Sequence, residues 1–448
     1  MPLPIDRLPV YTSHMNLSAF GAMARLGQGA RRRSPYLLQA FVLSLSLCFS
    51  ACFRISGNSV YEGPPVRPVA MEQYYTPEHS YESFREEIKR STKQYTIKHI
   101  TIESYEGPIV VDYFQTQEKS DSLVLVFPVL GGKNVIENHI AKYFAESGFD
   151  AAIVHRNNEF KDPQKFDQLE DLLRAGIIRD RLALDFFENE DGKQKFGTFG
   201  ISRGAINVAL TAGVDDRLKY NVLVMGGTDL VDLFRDSNQA RIAKYVQEVS
   251  KSKGFSEDQF FDALRMQLRS DPKNTARYLD SRDTLLILGI FDRTVPFTYG
   301  MKLREQIGRP ETIFLCADHY VGVLFTQTIS IIPPSKEGSG IFPFPYVEQE
   351  ALNFYYKHFK DSWNWKVAPF RILQTPLNLV AEGLAEVGSA VEWIFDSEES
   401  GEIQQVEQEH YWVAALKGLE TDDSAAEAST RLSSAEPQGA AVLSPGVR

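Results

Sequence analysis

A serine between two glycines stands where a strand-like segment changes directly into a helix-like one. The pentapeptide Gly200-Ile201-Ser202-Arg203-Gly204 follows the short apolar run 195–199 and precedes the helix-like run 205–212. A turn this tight brings neighbouring backbone so close that only glycine, which has no Cβ, fits at the flanking positions. The pattern therefore predicts a strand, a sharp turn and a helix, with the Ser202 hydroxyl held above the end of a sheet.

Apolar strand-like runs and longer helix-like runs alternate along most of the chain. The strand-like runs are 122–127, 150–154, 195–199, 221–225, 283–290 and 311–316, and the helix-like runs are 135–146, 166–188 and 348–359. Such alternation is typical of an α/β fold in which helices flank a mostly parallel central sheet. Segments 95–102 and 108–114 predict an antiparallel N-terminal hairpin, whereas 86–89 has the composition of a helix.

An acid and a histidine follow two later strands of the predicted sheet. Asp292 comes after the strand 283–290 and just before Val295-Pro296, and His319 comes after the strand 311–316. Ligands in open α/β sheets bind beyond the carboxyl ends of the strands, so these side chains are expected near Ser202. Asp229, which follows the strand 221–225, is the alternative acid, and the Val-Pro context favours Asp292.

The order serine, acid, histidine, each at a strand end, resembles that of the α/β-hydrolases. The resemblance covers about residues 123–325: Asp292 stands in a segment similar to the family's D-x-x-V-P loop, and Asp318-His319-Tyr320 is similar to its G-H-x loop, with Asp in place of Gly. It implies an esterase- or lipase-like serine hydrolase. In that family Ser202 would be the nucleophile, His319 the general base and Asp292 the group that orients the histidine.

The same resemblance implies donors for the negative charge that develops on a substrate oxygen. One is the backbone N–H of Arg203, and the other belongs to the loop 128–134, where Leu130 is the first candidate and Val129 the second. The family usually has His-Gly in this loop, and this chain has Pro128-Val129 instead. The Arg203 side chain is open to two interpretations: it binds a substrate carboxylate or phosphate, or it pairs with a local acid.

The N-terminal region has the pattern of an export signal. Arg31-Arg32-Arg33 is followed by the apolar run 36–49 and by Ser50-Ala51-Cys52, which resembles a bacterial lipobox. Residues 1–52 are therefore expected to be a signal peptide, with Cys52 as the lipidated residue. An ordinary signal peptide or an uncleaved anchor remains the alternative. The expected location is a bacterial envelope membrane, with the protein facing the periplasm or the exterior.

The remaining sequence divides by composition. Residues 53–82 are rich in Pro, Gly and Tyr and suggest a tether, and 83–368 form the expected hydrolase domain. Within that domain 228–282 is a small helical cap insertion, which either covers an acyl pocket as a lid or packs on the flank of the sheet. Residues 369–418 suggest an amphipathic C-terminal extension, and 419–448 a disordered tail.

Charge and cysteine content restrict the possible functions. The net charge of −11 offers no basic patch for nucleic acid, and the three cysteines and eight histidines show no metal-ligand spacing. No cofactor or metal is expected, and the expected partners are a small-molecule or lipid ester and a membrane, through the N-terminal anchor. Two functions stay in competition: a serine hydrolase acting on carboxylic esters, and a catalytically inactive binding lipoprotein on the same fold.

Overall fold

Ten strands form one sheet in the computed structural model, which describes residues 52–130, 135–319, 345–369, 371–372 and 411–412. In chain order the strands are β1 Phe53–Ile55, β2 Ser83–Ser91, β3 Tyr95–Glu103, β4 Ile109–Thr116, β5 Ser122–Phe127, β6 Asp150–Val154, β7 Lys195–Ile201, β8 Leu218–Val224, β9 Thr284–Gly289 and β10 Glu311–Leu315. Their order across the sheet is β1-β10-β9-β8-β7-β5-β6-β4-β3-β2.

Six neighbouring strands, from β6 to β10 across the sheet, are parallel, and the strands outside them are antiparallel. The apolar runs of β5, β6 and β9 are buried at every position, as expected for parallel strands that are covered on both faces. Strands β3 and β4 pair as the predicted hairpin. The prediction of an α/β fold with a mostly parallel sheet is confirmed.

The helices follow the strands in the expected alternation. They are α1 Val69–Tyr75, α2 Val135–Glu146, α3 Leu169–Asp191, α4 Arg203–Ala212, α5 Leu230–Asp236, α6 Ala240–Lys253, α7 Glu257–Gln267, α8 Pro272–Thr275, α9 Phe297–Gln306 and α10 Tyr346–Lys360. Helix α4 has nine buried residues out of ten and packs on β7 and β8. This burial fixes the axis of α4 relative to β7, and hence the position of the residue between them.

The expectation of a loose tether over residues 53–82 is wrong. Strand β1 pairs antiparallel with β10 at the edge of the sheet, and helix α1 buries Met71, Tyr74 and Tyr75. Trp412, from the C-terminal extension, is also fully buried, with its ring centroid 5.4 Å from that of Tyr74. The segment is held because burial of large aromatic rings outweighs the flexibility that its Pro and Gly content suggests.

The helix expected at 86–89 is a strand. These residues belong to β2, whose nine residues are all exposed and whose backbone pairs with β3 along its length. Glu and Lys favour helices by intrinsic propensity, but the backbone pairing with β3 decides the structure here. Their charges suit an edge strand, because charged side chains discourage pairing with another chain.

The insertion between β8 and β9 is helical and consists of α5 to α8. Ser256 and Gln259 form a reciprocal cap at the start of α7, which explains why this helix begins where it does. The predicted signal peptide before Cys52 and the tail 419–448 lie outside the described residues, as does most of the extension 369–418. Across the described ranges, no helix is long and apolar enough to cross a membrane.

Candidate active site

The turn at Ser202 has the geometry that its two glycines predict. Strand β7 ends at Ile201 and helix α4 begins at Arg203, and Ser202 between them has φ 57° and ψ −119°. A Cβ on Gly200 would lie 2.3 Å from the carbonyl carbon of Gly204, and one on Gly204 would lie 2.4 Å from the Phe127 oxygen. Glycine is therefore required at both positions, and the strained backbone presents the Ser202 side chain beyond the end of β7.

The acid after β9 is buried and held by its own turn. Asp292 is 5% exposed, and its Oδ1 accepts hydrogen bonds from the backbone N–H groups of Thr294 and Val295, both at 2.9 Å. Its other oxygen, Oδ2, lies 2.6 Å from Nδ1 of His319. The turn before the Val-Pro pair thus fixes the carboxylate, so that one oxygen faces the histidine.

His319 links this carboxylate to the serine. Its Nε2 lies 2.9 Å from Ser202 Oγ, and the residue is 8% exposed. With Nδ1–H donating to Asp292, Nε2 keeps its lone pair and accepts from the serine hydroxyl. The structure therefore brings the three sequence-predicted side chains into one hydrogen-bonded series at the carboxyl ends of the parallel strands.

The alternative acid is occupied elsewhere. Asp229 precedes helix α5 in the left-handed backbone region, at φ 54°, and its Oδ2 accepts from Lys302 Nζ at 2.7 Å. The carboxylate that lies against His319 Nδ1 is that of Asp292. The preference that the Val-Pro context gave to Asp292 thus agrees with the geometry.

The two donors expected in the loop after β5 have different surroundings. The Val129 N–H donates to Oε1 of Glu137 at 2.6 Å and is not available to a substrate, so its assignment as a donor is wrong for this conformation. Leu130 lines the cavity that contains Ser202, and its carbonyl accepts from Lys161 Nζ at 2.9 Å. The Arg203 N–H, at the first position of α4, has no acceptor within the helix. Arg203 and Leu130 therefore remain the candidate donors.

Glu137 is a residue that the sequence did not indicate. It lies in the first turn of α2, is 2% exposed, and its Oε2 has no hydrogen-bond donor among the described residues. Burial raises the pKa of this carboxyl group above its usual range. Its contact with Val129 holds the loop that precedes Leu130, so we consider it a positioning residue.

Substitution of Glu137 by alanine is expected to lower kcat for an ester by about 10- to 100-fold, with little change in KM. The Val129 N–H would lose its acceptor and the Leu130 donor would shift, an effect smaller than the 10²- to 10³-fold cost of losing a donor outright. Glu137→Gln should restore most of the rate, because its amide oxygen can still accept. Equal losses in both variants would show that the contact with Val129 does not matter.

Comparing the stability of Glu137→Gln with that of wild type at different pH values gives a second test. The pKa of Glu137 is higher in the folded than in the unfolded chain, so the folded state binds this proton more tightly. The contribution of Glu137 to stability is therefore present at low pH and is lost as pH rises through the raised pKa. In urea titrations, the free energy of unfolding of Glu137→Gln relative to wild type should increase as the pH rises from 4.5, the ordinary pKa of a glutamate, through the raised pKa of Glu137. A constant difference would contradict the assignment.

An apolar cavity opens in front of Ser202. Its volume is about 360 Å³, and it lies between the start of α4 and the insertion. Leu233 of α5 and Ile242, Tyr245 and Val246 of α6 belong to its wall. Because the insertion forms part of the wall, it shapes the space available to a ligand of Ser202, which favours the lid interpretation over a helix pair that only packs on the flank.

The Arg203 side chain lies along this cavity without a carboxylate partner among the described residues. Its guanidinium carbon lies 3.8 Å from the centroid of the Phe160 ring, a cation–π arrangement. Burial and the neighbouring Arg156 lower the pKa of Arg203 to about 9, which leaves it protonated at neutral pH. Asp180 stabilises its charge through space only. The interpretation in which Arg203 pairs with a local acid does not hold for the described part of the chain.

Within the described ranges, no group of three or more histidine, cysteine, aspartate or glutamate side chains could hold a metal ion. The candidate site comprises the Ser202, His319 and Asp292 side chains, the N–H groups of Arg203 and Leu130, and the cavity in front of them.

The sheet order, the turn at Ser202 and the residues after β9 and β10 define an α/β-hydrolase fold. No family model matches the sequence, and no curated protein matches it. Among solved structures, the chain is similar to an acetyl xylan esterase from Paenibacillus sp. R4, at 17% identity over 56% of this chain and 94% of that chain, with a TM-score of 0.42. It is also similar to acetyl xylan esterase 1 from Thermoanaerobacterium sp. JW/SL YS485, at 15% identity over 58% of this chain and 91% of that chain, with a TM-score of 0.44. The chain is similar as well to an acylaminoacyl peptidase from Pyrococcus horikoshii, at 13% identity over 61% of this chain and 42% of that chain, with a TM-score of 0.41.

Proposed function

We propose that the protein is a serine hydrolase that cleaves carboxylic esters through an acyl-enzyme. The observation that carries the proposal is the hydrogen-bonded series in which His319 Nε2 lies 2.9 Å from Ser202 Oγ and His319 Nδ1 lies 2.6 Å from Asp292. A serine hydroxyl is a weak nucleophile at neutral pH and needs an adjacent base to accept its proton as it attacks. The distance from Nε2 to Ser202 Oγ supports this role for His319, and such a base typically contributes 10²- to 10⁴-fold in rate.

The first half of the reaction acylates the enzyme. Ser202 Oγ attacks the ester carbonyl carbon while its proton passes to His319 Nε2, and the carbonyl oxygen becomes an oxyanion. The N–H groups of Arg203 and Leu130 are the proposed donors to this oxygen. The tetrahedral intermediate then collapses: the carbon–oxygen bond to the alcohol breaks, and the alcohol leaves with the proton from His319. Asp292 stabilises the imidazolium throughout.

The second half repeats these steps with water. His319 takes a proton from a water molecule, and the hydroxide formed attacks the acyl carbon. The bond to Ser202 Oγ breaks, and Oγ recovers the proton from His319. The products are a carboxylic acid and the regenerated serine, so that no cofactor is consumed and every proton returns through the same ring nitrogen.

The cavity supports an ester with an apolar part. Leucine, isoleucine, valine and aromatic side chains make up most of its described lining residues. Apolar groups of a substrate gain about 25 cal/mol for each Å² of surface removed from water, so an acyl chain placed here adds binding free energy. A purely polar substrate would gain little from these contacts.

The second candidate is an inactive binding protein. The observation in its favour is that the Val129 N–H is donated to Glu137, which leaves one fewer donor in the loop after β5. Hydrolysis of p-nitrophenyl butyrate by wild type beside Ser202→Ala separates the two functions. Turnover that depends on Ser202 supports the hydrolase, and equal background rates would support the inactive protein.

We also propose that the chain is exported and attached to a bacterial envelope membrane through a lipid on Cys52. The support is the sequence pattern of Arg31-Arg32-Arg33, the apolar run and Ser50-Ala51-Cys52. Cys52 directly precedes β1 and is fully buried in the unprocessed chain, so a lipidated sulfur would have to leave this position. Lipidation would then bring the β1 edge of the sheet close to the membrane.

Labelling cells with radioactive palmitate tests the anchor. Wild type is expected to carry the label and to sediment with membranes, whereas Cys52→Ser is expected to lose both properties. A Ser202→Ala protein serves as the control and should be labelled like wild type. An unlabelled wild type, or a label that persists in Cys52→Ser, would contradict lipidation at this residue.

A further inference from the structure

A second, smaller cavity adjoins the cavity in front of Ser202. Its volume is about 150 Å³, and it lies between the loop after β6, helix α3 and helix α4. Phe160, Leu173, Arg203 and Asn207 line both cavities. A ligand that reaches Ser202 can therefore extend a side group into the smaller space along the face of α4 that carries Arg203 and Asn207.

The described lining residues of the smaller cavity include more positively charged side chains than carboxyl groups. Three arginines line it, Arg156, Arg179 and Arg203, against two carboxyl groups, Asp180 and Glu106. Burial raises the pKa of Glu106, which opposes its negative charge. Among the described lining residues the remaining ionisable group is His155, which is hydrogen-bonded to Asp112.

Asp180 is already hydrogen-bonded to donors other than Arg203. Both of its oxygens accept from Arg156, and Oδ2 also accepts from the Thr211 hydroxyl at 2.9 Å. In the described part of the chain Arg203 is not among its hydrogen-bond donors, and Asp180 acts on the charge of Arg203 through space only. The charge of Arg203 is thus left facing the two cavities.

Asn207 gives an independent indication of a ligand. It is 7% exposed, and its Nδ2 has no acceptor among the described residues. Asn207 lies four residues after Arg203 on α4, so that both side chains project from the same face of the helix. A buried amide donor without an acceptor destabilises a folded protein, and a bound anion beside Arg203 would remove that cost.

The basic character continues into the larger cavity. Lys161, Arg241 and Lys244 are in its wall, and Glu248, the acid among its described lining residues, is paired with Lys244. Burial, Arg203 and Arg241 together lower the pKa of Lys161, as expected when cations crowd one space. A negatively charged group would reduce the repulsion among these side chains.

We propose that the substrate ester carries a second, anionic group, a carboxylate or a phosphate, which Arg203 and Asn207 bind in the smaller cavity. The proposal rests on the proposed ester hydrolysis at Ser202 and adds a substrate class to it. The planar guanidinium of Arg203 offers two parallel N–H donors to a carboxylate or phosphate, and the Asn207 amide offers a third. Because Arg203 directly follows Ser202, the bound anion also fixes the position of the ester carbon.

Two matched pairs of esters test the charge requirement and separate its sources. Mono-p-nitrophenyl glutarate is compared with p-nitrophenyl valerate for an acyl-borne carboxylate, and 1-butyrylglycerol 3-phosphate with 1-butyrylglycerol for an alcohol-borne phosphate. Wild type should prefer the charged member of at least one pair by about 10- to 100-fold in kcat/KM, as expected for charge-assisted hydrogen bonds. The pair that shows the preference identifies the anion.

The variants assign that preference to residues. Arg203→Gln and Asn207→Leu should each reduce the ratio of charged to neutral kcat/KM by about tenfold or more, and Arg203→Lys should keep only part of it. Arg85→Gln is the matched control. It removes an arginine that is 78% exposed on β2, a strand five spacings or about 24 Å from β7 across the sheet, and it should leave the ratio unchanged.

A binding measurement keeps the test independent of turnover. Glutarate or glycerol 3-phosphate should raise the Tm of wild type and of Arg85→Gln, and should raise that of Arg203→Gln much less. Hydrolysis of the neutral esters without any preference for charge would overturn the anion subsite and leave the hydrolase intact. Absence of all Ser202-dependent turnover together with an Arg203-dependent rise in Tm would overturn the hydrolase and keep the subsite. No rise in Tm with either anion would overturn the subsite.

Discussion

Replacing Ser202 by alanine is expected to lower kcat for carboxylic esters by about 10⁴- to 10⁶-fold, with the fold unchanged. The expected loss is this large because the serine, histidine and acid of such a series act as a unit, and removing the nucleophile removes the acyl-enzyme route. The remaining rate over water would come from the N–H donors and from binding alone.

The substitution leaves the surroundings of the turn in place. Alanine keeps the Cβ and the backbone bonds of residue 202, which donates to the Val224 carbonyl at 2.8 Å and accepts from the Ile206 N–H at 3.2 Å. The Tm of the variant should therefore match that of wild type. Steady-state kinetics with p-nitrophenyl butyrate provide the measurement. A rate within tenfold of wild type would mean that Ser202 is not the nucleophile.

Replacing Asp292 by asparagine is expected to lower kcat by about 10⁴-fold. The amide that replaces the carboxylate would place an N–H group against His319 Nδ1, which would have to become the acceptor. The ring proton would then lie on Nε2, where it blocks transfer from Ser202 Oγ. Because one side-chain oxygen can still accept from the N–H groups of Thr294 and Val295, the loss should appear in kcat rather than in folding.

Asp229→Asn is the matched control for this prediction. It makes the same chemical change at the other acid that follows a strand of the sheet, but Asp229 bonds to Lys302. Asparagine tolerates the positive φ of this position, so the fold should persist. The control should keep kcat within a few-fold of wild type. A large loss in Asp229→Asn with a small one in Asp292→Asn would reverse the assignment of the acid.

The features that the sequence predicted are those that depend on short segments. The turn at Ser202 follows from two glycines within five residues, because the collisions they avoid involve Gly204 and the Phe127 carbonyl at fixed backbone geometry. The acid and the histidine were placed by their positions after β9 and β10, since the carboxyl ends of parallel strands share one edge of the sheet. The periodicity of apolar residues and the ends of strands can both be recognised within a short segment of sequence.

The features that were missed depend on contacts between distant parts of the chain. Residues 53–82 look flexible by composition, and only the burial of Tyr74 and Tyr75 against Trp412 shows why they are held. The hydrogen bond from the Val129 N–H to Glu137 could not be predicted from the sequence. An acid in the first turn of a helix is ordinarily explained by its favourable interaction with the helix dipole. Arg203 has no carboxylate partner among the described residues, and the nearby Asp180 accepts hydrogen bonds from Arg156 instead. This pairing joins distant parts of the chain and cannot be predicted from the sequence.

The most direct test of the central claim is the intact mass of the protein after reaction with a fluorophosphonate, followed by peptide mapping. The account predicts one phosphonyl adduct in wild type, located on Ser202. It predicts none in Ser202→Ala, greatly slowed labelling in His319→Ala and near-normal labelling in Asp229→Asn. An unlabelled folded wild type, or an adduct on a residue other than Ser202, would contradict the claim that Ser202 is an activated nucleophile.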